Sequence, residues 1–91
     1  MDKIKSLEDT IVKAKAGDKL RFPGYSFCPK DIDIVLKRLG YECGDPQFLG
    51  RATAVRHYTK NNCKDIRVHS DGLTFELLIT FSEPCNYFID F

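Results

Sequence analysis

Ninety-one residues suffice for one domain with a single core. A composition that is 43% hydrophobic and 30% charged, with a formal net charge of +1, excludes a disordered chain and a strongly basic domain. No run approaches the ~20 apolar residues of a membrane span, and the opening MDKIKSLEDT lacks the apolar stretch of a signal peptide, so residence in the cytosol is expected.

In chain order, Ser6-Leu7-Glu8-Asp9 reads as a helix start, and Ile4, Leu7, Ile11 and Ala14 recur at helical spacing. Gly17 suits the stop, which predicts a helix over Leu7–Ala16. Lys19–Phe22 alternates as a short strand, ended by Pro23-Gly24. Pro29 suits a first helical position, Asp31 and Asp33 lie near the start, and Lys37 and Arg38 near the end. Ile32, Val35, Leu36 and Leu39 form the apolar stripe of this second helix, and Gly40 closes it.

Tyr41–Gly50 reads as a connector that is loop in the middle, with Tyr41 and Phe48 tucked in as anchors. Strands are then expected at Arg51–Tyr58, Lys64–His69, Leu73–Phe81 and Asn86–Phe91, with Ser70-Asp71-Gly72 as a hairpin turn. In the third of these, Leu73, Phe75, Leu77, Ile79 and Phe81 alternate onto one side, the pattern of a strand with one buried face. The expected fold is a single α+β domain over residues 1–91, in the order α-β-α-β-β-β-β. Its sheet is mostly antiparallel, of four to five strands, with two helices on one face.

The most distinctive chemical feature is charge distribution. Residues 50–70 carry Arg51, Arg56, Lys60, Lys64 and Arg67 against Asp65, together with His57 and His69. Residues 71–91 carry Asp71, Glu76, Glu83 and Asp90 and no base. Cross-strand pairing between the two halves explains this as well as a basic docking surface does. An apolar spot is expected at Leu78 and Phe88 if the helices cover one face, and the last strand, as a sheet edge, offers a route to a homodimer.

No catalytic or cofactor motif is present, so no cofactor is expected. Cys28, Cys43, Cys63 and Cys85 form no close pair, which speaks for free thiols over bridges or a zinc site. The helix, the Leu39-Gly40-Tyr41-Glu42 segment and a hairpin ending in histidine resemble in outline small toxin ribonucleases of the double-stranded-RNA-binding fold. The glycine-serine-histidine segment of that family is absent, so the chain is not assigned to it.

The expected function is that of a small non-enzymatic binding protein, an inhibitor or adaptor docking onto another protein. Such a make-up is common among phage and mobile-element regulators of host machinery. The contact residues expected are Arg51, Arg56, Tyr58, Lys60, Asn61, Asn62, Lys64, Arg67, His69, Leu78 and Phe88. The alternative is an RNA- or DNA-binding module that uses the basic hairpin 51–69. Third comes a metal-independent ribonuclease built on His57 and His69.

Overall fold

Three strands of alternating burial carry the core of this computed structural model, which describes residues 3–50 and 52–84 apart from the side chain of Tyr25. They are β4 (Thr53–Thr59), β5 (Asp65–Asp71) and β6 (Glu76–Ser82), each antiparallel to the next. Before them come α1 (Lys3–Lys13), β1 (Lys19–Phe22), a 3-10 turn (Pro23–Tyr25), α2 (Pro29–Arg38), β2 (Glu42–Cys43) and β3 (Gln47–Phe48). The six strands form one sheet in the order β1-β6-β5-β4-β2, with β3 also paired to β4. This is the expected α+β domain, two helices and an antiparallel sheet. The expected strand Asn86–Phe91, together with Arg51, Cys85 and Phe88, lies outside the described residues.

Alternation sorts the strands into two faces. Tyr58, Ile66, Val68, Leu77, Ile79 and Phe81 share one face and form a single core with Leu7 and Ile11 of α1 and Ile32, Val35 and Leu36 of α2. Leu20 and Phe22 of β1 join that face, opposite Ile79 and Leu77. The second helix begins and ends where expected. A capping box opens it, with the Asp31 carboxylate accepting from the Cys28 amide at 3.3 Å and the Cys28 side chain facing the Asp31 amide; the thiol also donates to that carboxylate at 3.2 Å.

The first helix starts and stops earlier than Leu7–Ala16. Ile4, partly buried against the core, extends the apolar stripe upstream, so Ser6 lies inside the helix instead of capping it. At the other end Asp18 takes over the chain, its carboxylate accepting from the Lys15 amide at 2.8 Å, and Gly17 donates to Phe81 at 2.8 Å from a left-handed backbone (φ 98°).

The β5–β6 turn also departs from expectation. Asp71 stays in β5 opposite Glu76, so the turn is Gly72–Phe75, and Leu73 and Phe75 are exposed turn residues instead of core. Asp71 Oδ1 holds this turn by accepting from the amides of Leu73 and Thr74 at 2.9 and 3.3 Å. A Cβ at position 72 would come within 3.2 Å of the Ala52 Cβ, which accounts for glycine there.

Tyr41–Gly50 is loop in the middle as expected, at Gly44–Pro46, but its flanks supply β2 and β3. Both pair with β4, and Gly44-Asp45-Pro46 interrupts them, since proline has no N–H for a ladder. Tyr41 is buried as expected; Phe48 is not, at 77% exposed.

Tyr58 is 1% exposed, and its hydroxyl donates to Asp33 Oδ1 of α2 at 2.7 Å. Burial pushes the Asp33 carboxyl up, but Tyr58 and Lys37 together outweigh it and hold its pKa below the ordinary value. A depressed carboxylate stabilises the fold above its unfolded pKa of about 3.9, and that stability is lost as pH falls through the folded value. Tyr58→Phe is therefore expected to cost about 1–1.5 kcal/mol at neutral pH and to flatten the acid limb below about pH 4. Urea unfolding across that pH range measures both.

Candidate interaction surfaces

The residues expected to form one basic surface are distributed over three environments. Arg56 and Tyr58 alternate onto the helix-covered face, where Arg56 is half-buried and contributes to the field at Asp33. Tyr58 is enclosed and structural, so it offers no partner contact in this fold.

Lys60 and Lys64 flank the β4–β5 turn and point back to the helices. The Lys60 ammonium donates to the Leu39 carbonyl at the end of α2, at 2.7 Å. The Lys64 ammonium donates to the carbonyls of Ile11 (2.6 Å), Val12 (3.1 Å) and Ala14 at the end of α1. Each lysine thus answers the unsatisfied carbonyls and the negative pole of a helix C-terminus. Asn61 and Asn62 remain exposed between them, Asn62 with a φ of 62°.

Arg67, His69 and Leu78 lie on the face away from the helices, Arg67 exposed and the other two half-buried. The register brings four side chains into one row across four strands. His57 is opposite Arg67, Arg67 opposite Thr80, and Thr80 opposite Lys19. The adjacent row is Val55, His69, Leu78 and Arg21. Sequence reasoning missed Lys19 and Arg21, which reach this face through the pairing of β1 with β6.

The two histidines share this face as diagonal neighbours. His57 Nε2 is 3.1 Å from Asp65 Oδ2; the carboxylate side chain is 3% exposed and the imidazole 36%. An ionised carboxylate accepts only, so it places the neutral ring's proton on Nε2 and leaves Nδ1 as the acceptor. Burial, and then the Arg67 guanidinium, lower the His69 pKa below its ordinary value. Among the described residues no group of three His, Cys, Asp or Glu side chains is placed to hold a metal. Cys28, Cys43 and Cys63 are free thiols.

Pairing between the basic and acidic hairpins is not what engages Glu76. Glu76 pairs at 3.4 Å, with Arg21 of β1 and not with a base of the 50–70 stretch.

A surface not foreseen from sequence lies at the end of the sheet remote from the two lysines. The Leu49 amide bonds to Thr53 and the Gly72 amide to Ala52, both at 3.0 Å, which sets the β3–β4 and β5–β6 turns side by side. These turns and the adjoining end of β3 carry Phe48 (77% exposed), Leu49 (60%), Leu73 (65%) and Phe75 (54%). Phe75 holds a left-handed backbone, φ 56°, a conformation that costs a non-glycine residue about 1 kcal/mol or more. The signal that could have found this patch is the turn itself: a four-residue turn after Asp71 moves Leu73 and Phe75 out of the strand.

No protein-family model, curated protein or solved structure matches the chain, so any functional reading rests on its own residues. No helix among the described residues is long and apolar enough to cross a membrane.

Proposed function

We propose that this is a small non-enzymatic binding protein, an inhibitor or adaptor, that docks onto another protein through Phe48, Leu49, Leu73 and Phe75. The observation that carries this reading is the grouping of these four large apolar side chains, all more than half exposed, on two adjoining turns and the end of β3 beside them. Scattered exposed apolar residues need no explanation, whereas a contiguous set marks an interaction surface. Enclosing such side chains in a partner releases roughly 1.5–3 kcal/mol each. The Asx-type bonds of Asp71 and the Ala52–Gly72 bond order the turns beforehand, which lowers the entropy cost of docking.

On this reading the apolar contact lies at the sheet end, and Arg67 and His69 belong to a separate surface. The test is affinity capture with the wild type, Phe48→Asp, Leu73→Asp and Arg67→Gln as parallel baits. A partner is expected on the wild type and on Arg67→Gln. Each aspartate variant is expected to weaken it by about 2 kcal/mol or more, at least ~25-fold, with the melting temperature unchanged. Equal capture by the aspartate variants would overturn the reading.

A further inference from the structure

The face of the sheet opposite the helices carries chemistry that the docking reading does not use. We propose that the exposed cations of this face bind the phosphodiester backbone of a single-stranded nucleic acid, with Arg67, Lys19 and Arg21 as its phosphate contacts. The proposal goes beyond the docking reading and is independent of it, because the apolar turns lie at the end of the sheet and not on this face.

Charge complementarity supplies the argument. Arg67 and Lys19 are exposed and make no ion pair among the described residues; one strand, carrying Thr80, separates them. Neighbouring strands lie about 4.8 Å apart, so the two cations stand ~10 Å from each other at their bases, with long side chains to track a backbone between them. Arg21, in the adjacent row, has Glu76 as its partner, but that pair is exposed on the arginine side and such pairs contribute little, so phosphate can displace it.

The acids of this face do not break up the cationic rows. Asp71 and Glu76 occupy one end of the strands, Glu42 sits on edge strand β2 and Asp65 is buried against His57. Thr80 lies between Arg67 and Lys19, and His69 and Leu78 follow Arg21 in the adjacent row, where the flat imidazole offers a surface on which an unstacked base can rest. A continuous antiparallel sheet is also too broad to enter a duplex groove, which admits a helix or a two-stranded ribbon. That favours a single strand over a duplex.

The test is fluorescence anisotropy with a labelled oligouridylate of about 10 nucleotides, a length within the range of single-strand sites, titrated between about 50 and 200 mM salt. Three phosphate contacts predict a slope of log K against log salt near −2, about −0.7 per contact. Arg67→Gln and Lys19→Gln are each expected to make the slope shallower by about 0.7. Arg56→Gln, in the same hairpin but on the helix-covered face, should leave it unchanged, as should Phe48→Asp. All four variants are melted beforehand to show that they fold. Absence of single-strand binding at the lower salt would overturn the proposal. So would equal affinity for a duplex of the same length, or an Arg56→Gln effect as large as that of Arg67→Gln.

Discussion

Lys64→Met is expected to lower stability by about 2 kcal/mol, and the melting temperature by roughly 8–16 °C for a domain of this size. The ammonium serves three carbonyls at the C-terminal end of α1, those of Ile11 and Val12 in its last turn and of Ala14 just beyond it, where a helix runs out of amide partners. Hydrogen bonds from a charged donor contribute about 1.5–3 kcal/mol each, but three of them on one nitrogen do not add. Burial lowers the Lys64 pKa, so the gain is net of a desolvation cost, and that places the loss near the low end. Methionine keeps an apolar stem beside the Phe81 ring, from whose centre the ammonium lies 5.3 Å, so the measurement isolates the charge and its bonds. Urea unfolding decides the matter: a variant within about 0.5 kcal/mol of wild type would mean that water satisfies α1 equally well. The expected loss makes Lys64 a fastener between strand turn and helix, and its removal unsuitable as a probe of partner binding.

Residues whose fate depends on local pattern were legible in the sequence. The α2 stripe and the alternation of Leu77, Ile79 and Phe81 follow from periodicity, and the structure places them as that periodicity requires. What was not legible depended on partners distant in the chain. Arg56 and Arg67 lie in one basic hairpin, yet the register that makes Arg56 the partner of Val68 and Arg67 the partner of His57 sends them to opposite faces. Lys60 and Lys64 are placed by helix ends that are remote in sequence. Lys19 and Arg21 join the face away from the helices because β1 pairs with β6 across most of the chain. The turn after Asp71 was misplaced for a different reason. Asp-Gly is a strong hairpin signal, but here Asp71 supplies the side-chain acceptor at the head of a four-residue turn, and Leu73 and Phe75 are released to the surface.

His57→Ala is expected to destabilise the fold by about 2–3 kcal/mol, more than Asp65→Ala, although His57 is the more exposed of the two. Removing the imidazole leaves the Asp65 carboxylate, 3% exposed, without the side-chain partner it has in the wild type. An isolated buried charge of this kind costs several kcal/mol, and the share of His57 that water already reaches reduces that figure. Removing Asp65 instead leaves a half-exposed ring that water can satisfy, at about 1 kcal/mol. The double variant is then expected to fall close to Asp65→Ala, with a coupling energy of about 2–3 kcal/mol in the cycle, the whole of the His57→Ala loss. Additive losses would show that the two side chains do not depend on each other, and the 3.1 Å contact would be incidental. The outcome bears on the ribonuclease reading. If His57 supports the fold, loss of any cleavage activity in His57→Ala reports stability as much as chemistry. A catalytic claim then needs His69→Ala and Asp65→Ala measured beside it, at temperatures where each variant is fully folded.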